Sequence, residues 1–347
     1  MEKERESVSF HVMTNTTIQY WRELETMDKT IATAGKTQSQ PGTTNPVGAS
    51  LKRRNPMLGK MALLGWLFLL PTFVLMMYTS FIPILWNLIL SFQNSTLFTS
   101  EFVGVANYIN AFQDPVFLSS LWHSILIAVV TTFFSTVLGI ALALLIYQLG
   151  SKEGAFYRLC IFLPFMLPTS IVGLMFIFVF DKQIGLLNNL LTLIGLGGLT
   201  QAWLAQPPLN LFAIYVVAIW KTVGLPMMLT SAGLQSIPAT YLEAAKIDGA
   251  GFLRQIFSLI LPLIKPVIAI AVTFGLIGNF KSFDLVYVLT RGGPGNSTFV
   301  VPIDLLQTAF TDGEFGYAAA FGLILAFTIF VVNAASSRIM KSERYEY

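Results

Sequence analysis

Two polar runs interrupt an otherwise apolar chain, and they are where chemistry can occur. One is Asn279, Phe280, Lys281, Ser282, Phe283 and Asp284, at the end of an apolar segment. Amide and hydroxyl groups there can satisfy a solute's hydroxyls, and a flat ring can stack on the apolar face of a sugar. Lys221 stands inside another apolar segment, with Trp220, Gly224 and Met227 within two turns of it. A lysine at the centre of a bilayer costs about 2.5–3.5 kcal/mol, and its apolar neighbours offset this at roughly 0.3–0.6 kcal/mol each. The segment still inserts, but Lys221 must face a bundle interior or water, which marks a solute path. Lys281 has two readings. It is a second cation favouring an anionic solute, or it pairs with Asp284 three residues away. In either case the chemistry is binding and release.

The second run is Leu242, Glu243, Ala244, Ala245, Asp248 and Gly249. Pro238 ends the preceding apolar segment. Thr240 followed by Glu243 fits a capping box, which predicts a helix starting at Tyr241. Gly249 is a natural stop, because it can adopt the left-handed conformation that closes a helix. On these two turns Leu242, Ala245 and Gly249 share a narrow face of small residues that fits a cleft. Glu243 either only caps a connector or belongs to a docking surface; the residues alone leave both readings open.

Catalytic machinery is missing from the sequence. There is no Gly-rich loop ending in Lys-Ser or Lys-Thr, and no His-Glu-x-x-His. The single cysteine, Cys160, makes no internal disulfide or four-cysteine metal site and reads as a buried apolar residue. His11 and His123 have no metal spacing, and His123 is expected at a helix start, solvated or capping. No catalytic or metal-ligating residue is assigned. The net charge of +3 is too small to argue for nucleic acid.

Apolar segments position these runs. Hydrophobic residues make up 54% of the chain and charged ones 11%, against about 25% in soluble domains, so most of the surface does not face water. The 16 prolines fit membrane helices, whose neighbours re-satisfy freed backbone groups. Six stretches have the roughly twenty residues a bilayer needs. They run over 61–92, 122–149, 159–180, 209–234, 263–285 and 317–339. The expected fold is an all-α polytopic membrane protein with six transmembrane helices. Residues 56–347 form this domain, with a cytoplasmic loop at 236–262.

The positive-inside rule sets the orientation. With the N-terminus in the cytoplasm, the inner segments hold Lys52, Arg53, Arg54, Lys60, Lys152, Arg158, Lys246, Arg254, Lys265, Arg338, Lys341 and Arg344. The outer ones hold Lys182, Lys281 and Arg291, a ratio of twelve to three without counting the far N-terminal tail or Lys221. Both termini are then cytoplasmic. Gly316 with Ala320, Ala318 with Gly322, and Gly139 with Ala143 offer small residues at the spacing of close helix contacts, or reflect ordinary tolerance for small residues. Residues 1–55 form a polar tail read as disordered, with no cleavable leader. Within it Ile18, Trp21, Leu24 and Met27 recur at the spacing of a short interfacial helix.

Glu243-Ala244-Ala245, three residues, Gly249, nine residues and Leu259-Ile260-Leu261-Pro262 resemble the cytoplasmic loop of binding-protein-dependent ABC importer permeases. Leu259 stands where the family usually has isoleucine. Leu289-Thr290-Arg291-Gly292-Gly293-Pro294 and Gly316-Tyr317-Ala318-Ala319-Ala320 resemble the carbohydrate-uptake branch, near the maltose-type first subunit and the glycerol-phosphate and multiple-sugar permeases. The resemblance covers roughly residues 60–345. It implies a type I permease bundle in a bacterial cytoplasmic (inner) membrane, with the loop as a coupling helix docking into an ATPase. It also implies a second related permease, two ATP-binding subunits and an extracytoplasmic solute-binding protein. ATP and Mg would be bound by the ATPase, with no cofactor on this chain. Asn279, Phe280 and Lys281 resemble positions lining the maltose-type cavity, where Lys281 replaces an amide. The rival is a stand-alone ion-coupled transporter, which needs buried acids at mid-membrane and internal repeats. Asp181 and Asp284 instead fall near the outer ends.

Overall fold

A computed structural model describes residues 56–96 and 98–340, with the backbone alone for 56–64. The expectations for the 1–55 tail, including the Ile18–Met27 helix, and the charges at Lys341 and Arg344 lie outside the described residues. The chain divides into two compact units, Met1–Leu70 and Pro71–Tyr347. In the first, the described residues are the leading turns of helix α1 (Pro56–Met76), exposed and apolar from Trp66 to Leu70.

The second unit is a helical bundle with one small hairpin. After α1 a π-turn (Met77–Phe81) leads into α2 (Ile82–Leu90). Strands β1 (Gln93–Ser95) and β2 (Ser100–Phe102) pair antiparallel, Gln93 opposite Phe102, which the all-helical expectation did not include. Asn107, on the short helix α3 (Ala106–Ala111), anchors the hairpin: its Nδ2 donates to the carbonyls of Ser91 and Gln93, each at 2.9 Å. The long helix α4 (Pro115–Tyr147) follows. It starts seven residues before the expected Trp122, because Asp114 caps it by accepting from the Val116 N–H at 2.8 Å. His123 is therefore inside the helix and does not start it; its Nδ1 lies 3.0 Å from the Phe299 carbonyl oxygen.

The expected third span is broken in two. Helices α5 (Ser151–Met166) and α6 (Thr169–Val179) meet at 95°. Pro168 disfavours helical backbone at the residue before it, and Leu167 is extended (φ −70°, ψ 141°). Cys160, expected to be buried, is exposed on α5. A short helix α7 (Leu186–Leu193) precedes α8 (Leu209–Thr222) and α9 (Gly224–Gln235), which together form one 27-residue span. Helix α10 (Ala239–Ile247), α11 (Phe252–Gln255), a second π-turn (Ile256–Ile260) and α12 (Leu261–Phe280) come next. The expected fifth span, 263–285, is really the continuous helical run Phe252–Phe280, with α13 (Phe283–Thr290) separate beyond a break at Lys281 and Ser282. Helices α14 (Val301–Phe310) and α15 (Phe315–Ile339) complete the order.

Both π-turns end two residues before a proline. The Ile82 N–H bonds the Met77 carbonyl ahead of Pro83, and the Leu261 N–H bonds the Ile256 carbonyl ahead of Pro262. A proline ring clashes with the carbonyl four residues back. Opening the ladder by one residue relieves the clash and keeps the helix running. This is how the Phe252–Phe280 run passes Pro262.

Among the described residues five helical runs are long and apolar enough to cross a bilayer, and the bent pair brings this to six if it counts as one span. The bent pair contacts core clusters toward both ends of the bundle. Ile161 and Phe162 on α5 pack against a core cluster of Ala143, Ile146, Met227, Leu234, Ile256 and Ile260 at one end. Val172 on α6 belongs to a second cluster at the other end, with Ile214, Val217, Val286 and Leu289. A third cluster, around Phe117, Val301 and Phe321, ties α4, α14 and α15. The helices pack closely where glycine permits. A Cβ at Gly139 would lie 2.8 Å from the Met227 nitrogen, and one at Gly224 would lie 2.9 Å from the Ile161 carbonyl oxygen.

Candidate functional site: a mid-depth cavity and the turn beneath it

Between the two end clusters lies a cavity of about 340 Å³. Its walls come from the α5–α6 bend (Phe165, Thr169), the α8–α9 span (Lys221, Thr222, Pro226), Ser135 of α4, and the end of α12. The bend at Pro168 turns the backbone away and leaves this space. Of the eight residues expected on a solute path, Lys221, Asn279, Lys281 and Ser282 line the cavity. The other four pack elsewhere. Trp220 stacks edge-on with Phe176 at 5.3 Å, Gly224 lets α5 approach, and Met227 and Phe280 are buried in the bundle.

The lining charges sit apart. The Lys221 ammonium lies 5.7 Å from the centroid of the Phe165 ring, within cation–π range. Asp284 lines the same cavity as Lys221 and Lys281. The expected Lys281–Asp284 pair is not formed, and Lys281 has no ion-pair partner among the described residues. The α12–α13 break explains this, because the two residues no longer share one helix. Asn279 Nδ2 donates to Thr132 Oγ1 at 3.0 Å, fastening α12 to α4.

The sequence reading missed Ser135, Phe165, Thr169 and Thr222 as lining residues. A signal was available on α4. Ser120, Ser124, Thr131, Thr132, Ser135 and Thr136 are all buried and recur at helical spacing. The Oγ1 atoms of Thr131 and Thr136 have no hydrogen-bond partner.

The turn beneath the cavity is built by α10. The helix begins at Ala239, two residues before the predicted start, and no side chain caps it, so the Thr240–Glu243 capping box does not form. Its end is closed as expected. Gly249 has φ +75°, the Gly249 N–H bonds the Lys246 carbonyl at 3.0 Å, and the Ala250 N–H bonds the Ala245 carbonyl at 2.9 Å. That is a complete Schellman closure. The residues of the predicted docking face differ in exposure. Leu242 packs inward against the Met227–Ile264 cluster, while Glu243, Ala244, Ile247, Asp248 and Gly249 are exposed. Ile247, an apolar residue 86% exposed, is at the tip.

At the opposite end, outside the crossing helices, Asp304 accepts from the Ser120 hydroxyl at 2.9 Å. Burial pushes its carboxyl up to about 6; the Ser120 hydrogen bond opposes this, and the charges of Asp114 and Asp312 add to it.

Residues 135–342 match the family described as binding-protein-dependent transport system inner membrane component. The chain is similar to the probable ABC transporter permease protein YurN of Bacillus subtilis, with 33% identity over 84% of this chain and 100% of that protein. It is similar to the sulfoquinovosyl glycerol transport system permease protein SmoG of Agrobacterium fabrum, with 33% identity over 81% of this chain and 91% of that protein. It is also similar to the trehalose/maltose transport system permease protein MalF of Thermococcus litoralis, with 31% identity over 80% and 95%. Among solved structures, a chain in the crystal structure of a bacterial alginate ABC transporter in complex with an alginate pentasaccharide-bound periplasmic protein shares the fold. The TM-score is 0.73 at 22% identity, covering 84% of this chain and 100% of that one.

Proposed function

The chain belongs to the family of binding-protein-dependent transport system inner membrane components, and from that premise we propose that it is the membrane-spanning permease subunit of an ATP-driven importer for a sugar or sugar-like solute. The observation that carries this reading is the place of α10 in the chain. The helix before it, α9, and the helical run after it, Phe252–Phe280, both wall the cavity. A partner that grips the exposed Glu243–Gly249 surface therefore pulls on two cavity walls at once. Hydrolysis in that partner becomes a change in which end of the cavity is open. ATP and Mg belong to the partner ATPases, two of which would engage this chain and a second, related permease.

The solute assignment draws on the relatives' names and on the hydroxyl, amide and aromatic lining. An extracytoplasmic binding protein would present the solute at the end opposite α10. The proposed orientation places both termini and α10 in the cytoplasm of a bacterium, with the chain in its inner membrane. The bias of basic residues supports it: Lys152, Arg158, Lys246, Arg254 and Arg338 share one side.

The test is reconstitution of the chain with its second permease, ATPase and binding protein in proteoliposomes. Accumulation of solute should require both ATP on the α10 side and the binding protein on the other. Uptake that proceeds without nucleotide would point to the ion-coupled rival instead.

A further inference from the structure

The cavity's polar groups differ in what remains available to a solute. Thr222 Oγ1 donates to the Ala218 carbonyl at 2.7 Å, Ser135 Oγ to the Thr132 carbonyl at 3.3 Å, and the Asn279 amide to Thr132. These three groups are engaged by the helices themselves, which leaves the Thr169 and Ser282 hydroxyls as the neutral donors. Lys221 and Lys281 have no hydrogen-bond or ion-pair partner among the described residues. The strongest donors left in the cavity are thus two ammonium groups, facing one carboxylate, Asp284. The lining carries one net positive charge, and the rest of it is largely apolar.

From this charge balance we infer that the solute carries a singly charged anionic group, a carboxylate or sulfonate on a saccharide-sized body, which Lys281 and Lys221 hold. The inference rests on the importer reading and narrows its substrate class. A neutral sugar leaves both ammonium groups without a charged partner, whereas an anion receives charge-assisted hydrogen bonds from both lysines. Lys281 is the exposed member at the helix break and meets the solute first. Lys221, held against Phe165, lies deeper. Asp284, on the same wall, disfavours a second negative charge and so selects a singly charged head. The cavity's size is at the lower end of small-molecule sites, which span about 300–1,000 Å³, and suits a short saccharide.

The experiment is equilibrium dialysis of the assembled, nucleotide-free complex in nanodiscs, without the binding protein, against a matched pair of labelled disaccharides. One is glucuronyl-glucose and the other glucosyl-glucose, which differ only in a carboxylate. The expected result is at least tenfold tighter retention of the acidic sugar. Lys281→Gln should abolish that preference, and Lys281→Arg should keep it. Equal or weaker retention of the acidic sugar, no retention of either, or a preference unchanged in Lys281→Gln overturns the inference. ATP-dependent uptake of a neutral sugar, unaffected by Lys281→Gln, would sink the anion assignment alone and leave the importer reading intact. Accumulation without ATP would sink the importer reading instead.

Discussion

Gly249 illustrates how one residue separates folding from docking. A Cβ there meets nothing within 4 Å, so only the φ of +75° restricts the position. Among side chains, Asn and Asp tolerate that conformation best, and other L residues cost about 1–2 kcal/mol. Gly249→Asn and Gly249→Asp should therefore close α10 alike, and both proteins should insert. Only the aspartate adds charge to the exposed surface, beside Asp248. Uptake by reconstituted Gly249→Asn is expected near wild type, with Gly249→Asp abolished; equal uptake by the two argues against a charge-sensitive contact.

Asp304 makes a separate prediction. Its folded pKa of about 6 is above the ordinary 3.8, so the fold favours the protonated form. The associated stability is fully present below about pH 4 and is lost as pH rises through 6. Asp304→Asn mimics the protonated state and can still accept from Ser120. In melting curves it should raise the midpoint at pH 7.5, with the gain shrinking as pH falls through 6 and gone near pH 4. An unchanged midpoint at pH 7.5 would mean that the ionised carboxylate costs the fold nothing.

Among the elements, the α4–α9 contact is the one most sensitive to volume. Gly139 admits the Met227 backbone and the Pro226 ring at distances where no Cβ fits, and neither neighbour is the flexible end of a side chain. Gly139→Val should separate the helices and cost about 1–3 kcal/mol, the usual range for overpacking. Thermal melting of the purified chain reads this as a clear drop. Gly198→Ala, with open space around it, should leave the midpoint unchanged. Small residues at four-residue spacing made Gly139 legible in the sequence. The six apolar stretches and the Gly249 stop were legible for similar reasons, since each is a local pattern of period or conformation. The 95° bend at Pro168 was not, because a membrane proline is equally compatible with a straight helix, a kink or a break. Tertiary packing decides among these. The cap at Thr240 failed for a related reason: Pro238 pre-sets the backbone, so the helix starts at Ala239 before Thr240 can serve. The cavity residues split the same way. Lys221 and the 279–282 run stood out by their cost in lipid, whereas Phe165 and Thr169 reach the cavity only because the chain bends there.

At the scale of the whole molecule, the remaining question is which way the bundle faces, and the two ends offer clean reporters. Ile247 at the tip of α10 is 86% exposed, and Phe98 in the hairpin loop is 94% exposed. Helix α4 begins just beyond the hairpin and ends in the cluster that holds Leu242, so the two sites belong to opposite ends. Cys160, the one native cysteine, is exposed on α5 and must first be replaced by serine. In that background, Ile247→Cys should react with a membrane-impermeant maleimide only in inverted vesicles, and Phe98→Cys only in intact cells. Basic residues near the α10 end resist transfer across an energised membrane, which is the physical basis of this expectation. The reverse pattern would turn the solute path around and put the docking surface out of reach of any cytoplasmic ATPase. Labelling of both sites from one side would mean that the bent α5–α6 pair does not cross, since removing a single crossing from between the two sites changes their relative sidedness.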